Sequence, residues 1–157
     1  MKNQKGFSLV ELLVVVIIIA IIAAIAIPSL LASRRAANEA SAVQSMRTYH
    51  SAQATFQALD PARNYAIAPT NLAAYVDSIL SGAGAITKSG YTLNMVGVAA
   101  SGSTPTSYCA GAVPLNATSG TNNYAVDSGN GGVVVSGGAT LVCAAGAIGG
   151  GPGTPVQ

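Results

Sequence analysis

The chain has 157 residues, of which 50% are hydrophobic, 8% charged and 5% aromatic, with a formal net charge of +2. Soluble domains average roughly 25% charged residues, so this chain is charge-poor by about threefold. Seven basic and five acidic residues cannot build a broad phosphate-binding surface, which argues against nucleic-acid binding, and the hydrophobicity argues against ordinary disorder.

The hydrophobic excess is concentrated at the start. Leu12 to Ile27 contains no polar residue, and extension back to Phe7 adds only Ser8 and Glu11. As a helix, Phe7–Leu31 is about 37 Å long, enough to cross a bilayer core of about 30 Å. A secretory signal peptide is one reading, with Ala24-Ile25-Ala26 as its cleavage site, but the apolar run is long for that. An ordinary membrane anchor explains the length and gives no reason for Glu11. The third reading uses the polar leader Met1–Gly6, with Lys2 and Lys5, together with the motif that follows it.

That motif is Lys5-Gly6-Phe7-Ser8-Leu9-Val10-Glu11-Leu12-Leu13. It resembles the type IV pilin family, which includes the pseudopilins of type II secretion. The resemblance implies a class III signal, cut by a membrane-embedded prepilin peptidase between Gly6 and Phe7. Phe7 then becomes an N-methylated N-terminus. It also implies that Glu11 pairs with the Phe7 amine of a neighbouring subunit and sets the axial register of a filament. Physical chemistry asks for some partner here, since a carboxylate at the centre of a membrane helix costs about 2.5–3.5 kcal/mol. The alternatives are a salt bridge to its own N-terminus or a protonated Glu11.

Lys2 and Lys5 favour a cytoplasmic N-terminus, although Arg34 and Arg35 on the far side weaken that count. The resemblance resolves it: a single inner-membrane pass with the remainder in the periplasm, and an extracellular pilus after assembly. Ala20-x-x-x-Ala24 allows close helix approach. Pro28 lacks an N–H and is expected to kink the helix or free a carbonyl near position 24. In the family a proline here permits partial unwinding within the filament.

Ser29–Leu59 continues the helix. Ala42, Met46, Tyr49 and Phe56 form a stripe, with Gln53 filling its gap, and Asp60-Pro61 is a stop. Such a helix, Ser8–Leu59, is roughly 75 Å long. Its first half needs lipid or other subunits; its second half offers one stripe to a globular head. The stretch Asn38–Thr48 also resembles pilins. Arg34, Arg35, Arg47 and Glu39 are candidates for pairing between subunits, or for a solvated face. His50, the single histidine, reads as structural.

Beyond Pro61 the pattern predicts a short helix over Asn71–Leu80, with Asn71 as its cap and Leu72, Tyr75, Val76, Ile79 and Leu80 as its apolar stripe. Strands are expected at Tyr91–Val98, Ser107–Leu115, Asn123–Asp127, Gly132–Ser136 and Ala139–Ala144. Turn chemistry over Asp127–Gly132 makes a hairpin of the strands around it. Ala99–Thr106 and Asn116–Asn122 read as exposed loops. The expected fold is α+β: a long N-terminal helix, half transmembrane and half amphipathic, packed on a small antiparallel β-sheet head. The expected divisions are leader 1–6, polymerisation half 7–31, amphipathic half 32–60, head 61–145 and a Gly/Pro-rich flexible tail 146–157.

Cys109 and Cys143 are the only cysteines, too few for a zinc site of their own. In an oxidising compartment they are expected to form one disulfide, as the family's carboxyl-proximal bond also implies; two buried free thiols are the alternative. Asn116-Ala117-Thr118 fits the N-glycosylation pattern, a short motif that also arises by chance.

The expected function is structural: a type IV pilin polymerised into a surface filament for adhesion, twitching motility or DNA uptake. The partners implied by the family are further copies of the chain, prepilin peptidase, the platform protein, the assembly ATPase and minor pilins. A secretion pseudopilin is the rival within the family, weakened by the cysteines and by the scarcity of calcium-ligating acids in the head, Asp77 and Asp127. A membrane-anchored binding module that never polymerises is the rival outside it. No nucleophile motif, phosphate loop or metal cluster points to an enzyme, and no cofactor is expected.

Overall fold

The computed structural model describes residues 6–99, 105–129, 132–137, 142–144, 147–149 and 154–155. Leader residues 1–5, most of the loop expected at 99–106, and most of the 146–157 tail lie outside the described residues. The chain divides into two compact units, Met1–Arg34 and Arg35–Gln157.

Helix α1 spans Leu9–Leu59 and contains Pro28. Gly6, Phe7 and Ser8 precede it in non-helical backbone. Within the first unit the helix presents Leu, Val and Ile on every side, all of them exposed. Among the described residues, α1 is the one helix long and apolar enough to cross a membrane.

In the second unit, α1 buries Ala42, Ser45, Met46, Tyr49, Ala52 and Gln53. Of the stripe read from the sequence, Ala42, Met46, Tyr49 and Gln53 are buried and Phe56 is half-buried, while Ser45 and Ala52 join it. Eight strands follow: β1 Ile86–Lys88, β2 Tyr91–Ala99, β3 Pro105–Pro114, β4 Asn122–Asp127, β5 Val134–Gly137, β6 Val142–Ala144, β7 Ala147–Gly149 and β8 Thr154–Pro155. Six form an antiparallel sheet in the order β1-β2-β3-β4-β5-β8, and β6-β7 form a separate antiparallel pair. The arrangement is α+β and pilin-like, as expected.

Register explains the core. Tyr91, Leu93 and Met95 on β2 share a face with Ala110 and Ala112 on β3 and with Tyr124 and Val126 on β4. All are buried with the α1 stripe in one cluster. Alanines at the centre of the sheet let the helix approach closely, and the tyrosines fill the margins. The opposite face carries Cys109, directly across from Asp127, and both are buried although they point away from α1. Strand β3 is flanked by β2 and β4, and β6 and β7 lie against β3 and β4.

The β1–β2 connection is a two-residue turn. Lys88 pairs with Tyr91, and Ser89 and Gly90 between them have φ of 49° and 73°. Positive φ at both central positions is the type I′ requirement, and its twist matches the flanking strands. The sequence pattern starts its first strand at Tyr91 and does not show β1. The β4–β5 hairpin was anticipated and is present.

The helix expected over Asn71–Leu80 is absent. Pro69–Leu72 forms one 3-10 turn, followed by further turns to Thr87's strand. Asn71 is not an N-cap but the third residue of that 3-10 turn, its Oδ1 reaching back to accept the Ala68 N–H at 3.3 Å. The physical reason for the break is Asp77. Its Oδ1 accepts the Leu80 N–H at 2.8 Å, the donor that a helix would give to the Val76 carbonyl. Leu72 and Leu80 of the stripe are buried, while Tyr75 and Ile79 are exposed.

Candidate processing segment and helix–head clasp

In the first unit, Gly6 has open space around it and Phe7 is 79% exposed. Gly6 and Phe7 are therefore uncovered and outside regular secondary structure. Helix geometry starts at Leu9. The Leu12 N–H donates to the Ser8 carbonyl at 3.2 Å, and the Ser8 N–H donates to Glu11 Oε2 at 3.4 Å. Ser8 thus stands at the cap position with Glu11 three residues on, an S-x-x-E capping arrangement. The sequence reading overlooked that pattern. Glu11 is exposed on a helix otherwise lined here by Val10, Val14 and Val15, with only Ser8 as a further polar neighbour. Pro28 is exposed as well.

The apolar exposure bears on function. Burial of one Leu, Ile or Val side chain is worth about 1.5–3 kcal/mol. Ile17, Ile18, Ile19, Ile21, Ile22 and Ile25 all lie more than half exposed. A surface like this is stable in lipid or against other apolar helices and not in water.

In the second unit, a row of polar residues on α1 fastens the loops at one end of the sheet. Asn38 Nδ2 donates to the Ser119 carbonyl at 3.1 Å, and the Ser41 hydroxyl donates to that of Ser89 at 2.9 Å. Glu39 is the centre of this clasp. Oε1 accepts the Thr121 N–H at 2.9 Å and the Thr121 hydroxyl at 3.1 Å; Oε2 accepts Asn122 Nδ2 and the Tyr124 hydroxyl, each at 3.3 Å. Burial works to raise the Glu39 carboxyl, but these four donors outweigh it and hold the group below its usual 4.5. Glu39, offered by the sequence for pairing between subunits or for a solvated face, is engaged within the subunit by residues more than 80 positions away in sequence. Nothing local in the sequence could announce that.

His50 lies beside Tyr108, with Nδ1 2.5 Å from its hydroxyl. The Tyr108 hydroxyl is pushed up first by burial and then by Tyr65 and Asp127, so it is a neutral phenol and a hydrogen-bonding group. This agrees with a structural histidine. The Tyr49 hydroxyl, raised to about 12 by burial and by Asp77, donates to the Leu80 carbonyl at 2.8 Å. Cys109 is fully buried on β3, and β6, which carries Cys143, lies against that strand. Asn116 sits in an exposed turn after β3.

An uncovered apolar helix behind a Gly-Phe junction, with an α+β head, is a pilin-like arrangement. The prokaryotic N-terminal methylation motif matches residues 1–27. The type IV wide pilus major component PilA4 of Thermus thermophilus is 46% identical over 39 residues, covering 25% of this chain and 30% of that protein. The match therefore spans under a third of the relative's length. No solved structure matches the chain.

Proposed function

We propose that the chain is the structural subunit of a type IV pilus. Prepilin peptidase cuts between Gly6 and Phe7, Phe7 is N-methylated, and the subunit waits in the inner membrane with its head outside the cytoplasm. Assembly then transfers the apolar half of α1 from lipid to a shared helical core, driven from the cytoplasmic side by a platform protein and an ATPase. The observation that carries this reading is the exposed apolar half of α1 placed directly behind the methylation motif. The pilus reading is supported further by the similarity to a wide-pilus component.

Among the described residues Glu11 has the Ser8 amide as its partner, and that bond leaves one oxygen of the carboxylate for a second donor. After cleavage the Phe7 amine of the next subunit is the cation suited to it, and the pair fixes axial register. The Cys109–Cys143 disulfide belongs to this proposal too, and the place of β6 against β3 supports it. The test is filament yield. Glu11→Ala should accumulate processed subunit in the membrane and deplete sheared filaments at least tenfold. Wild-type filament yield from Glu11→Ala would refute the register role.

A further inference from the structure

The loop joining β3 to β4 holds a carboxamide outside the assembly contacts proposed above. Asn116 and Thr118 are exposed at its tip. The loop is nonetheless fixed at both ends: the Leu115 N–H donates to the Gly90 carbonyl at 2.9 Å, and the Ser119 carbonyl takes Asn38 Nδ2 at 3.1 Å. Between these anchors the Asn116 side chain is held by four bonds to one atom. Its Oδ1 accepts the Thr118 N–H at 3.1 Å, the Thr118 hydroxyl at 2.6 Å, the Ser119 N–H at 2.9 Å and the Ser119 hydroxyl at 2.9 Å. Backbone N–H groups can only donate, so the atom facing them is the oxygen and the amide orientation is settled. The Nδ2 amide is consequently on the outward side of the group, on an exposed residue.

We propose that Asn116 is an N-glycosylation acceptor, taking its sugar from a polyprenyl-pyrophosphate-linked oligosaccharide. The sequence Asn116-Ala117-Thr118 is the acceptor pattern, and the geometry gives it a chemical basis. An unassisted carboxamide nitrogen is a poor nucleophile because its lone pair is delocalised onto oxygen. Donors crowded on Oδ1 stabilise negative charge there and favour loss of an Nδ2 proton. In the transfer, Nδ2 gives up that proton to a base on the transferring enzyme and forms a bond to the sugar's C1. The C1–O bond breaks, and polyprenyl pyrophosphate leaves with the electron pair. The threonine hydroxyl, at 2.6 Å, is the shortest of the four contacts and the one the pattern requires. A glycan here would hydrate a head that has few charges of its own.

This inference rests on the head lying outside the cytoplasm, where lipid-linked donors are used. The test is mass spectrometry of the full-length subunit recovered from its native cells, with mapping of the fragment that carries Asn116. A sugar mass is expected on that fragment. It should vanish in Asn116→Asp, which keeps the Oδ1 acceptor and the turn but removes the nitrogen. It should also vanish in Thr118→Val and persist in Thr118→Ser. An unmodified Asn116 in the native subunit overturns the proposal, as does a sugar that survives Asn116→Asp. The same spectra report the N-terminal residue. An unmodified Asn116 on a chain starting at Phe7 therefore refutes glycosylation alone, whereas a chain starting at Met1 refutes the processing proposed above.

Discussion

Gln53 pairs with Ala66 as one strand residue pairs with another. Gln53 Nε2 donates to the Ala66 carbonyl at 3.1 Å, and the Ala66 N–H donates to Gln53 Oε1 at 2.8 Å. Gln53 is fully buried, and its Nε2 also contacts Met95 Sδ at 3.2 Å. One side chain on α1 therefore satisfies both backbone groups of the segment that leaves the helix and passes over β2. Gln53→Leu fills the space but leaves two buried backbone groups unpaired, each costing about 1–3 kcal/mol. The head should lose about 2–4 kcal/mol, read as a lower denaturation midpoint of the detergent-solubilised subunit, and Gln53→Glu should be intermediate.

The same segment makes Gly97 intolerant of a side chain. A Cβ there would stand 2.7 Å from both the Ala66 carbonyl oxygen and the Ile67 Cα, which are backbone atoms without freedom to move aside. The Gly97 N–H also donates to the Ile67 carbonyl at 2.9 Å. Gly97→Ala should destabilise the head by about 1–3 kcal/mol, the usual cost of overpacking. Gly84→Ala, where a Cβ meets nothing within 4 Å but φ is +82°, isolates backbone strain alone and should cost less.

The Glu39 clasp gives stability a definite pH dependence. The folded-state value lies below the ordinary 4.5, because four donors outweigh burial. Stabilisation by such a group is complete above its unfolded value and is lost as pH falls through the folded one. Thermal midpoints should therefore hold steady above about pH 4.5 and decline in more acid solution. Asp60 and Asp77 are held low too, chiefly by backbone N–H donors, and act in the same direction. Glu39→Gln should thus flatten the acid decline without abolishing it. An unchanged slope would mean that the clasp contributes nothing.

These residues mark the boundary of what the sequence made legible. The long helix was readable from end to end, because an unbroken apolar run and a buried stripe are local patterns and Asp60-Pro61 is a local stop. Strands β2 to β5 were readable from alternation and turn chemistry. The Asn71–Leu80 helix was misread because its apolar spacing was weighed without Asp77, whose side chain takes the Leu80 amide. Strand β1 was missed because three residues carry too little pattern, although Ser89-Gly90 is a usable turn cue. Glu39 was visible as a charge but not as a clasp, since Thr121, Asn122 and Tyr124 reach it only once the sheet has formed. The Ser8–Glu11 cap was local and could have been read.

The two cysteines carry a further prediction. A bond between Cys109 and Cys143 would close a loop of some 34 residues, and the chain-entropy model gives it about 3–4 kcal/mol. Denaturation with and without reductant should differ by that amount, and Cys109→Ser should match the reduced wild type. Two alkylatable thiols in the unreduced subunit would refute the bond.

The proposed cut after Gly6 would remove Lys2 and Lys5 and take the seven basic residues to five, equal to the five acidic ones. A subunit without net side-chain charge suits close packing of many copies. The most direct test of this account is N-terminal sequencing, with intact mass, of filaments sheared from the cell surface. The account predicts that these filaments contain this chain, beginning with N-methylated Phe7 and lacking residues 1–6. Recovery of the chain only from membranes, beginning at Met1, would contradict it.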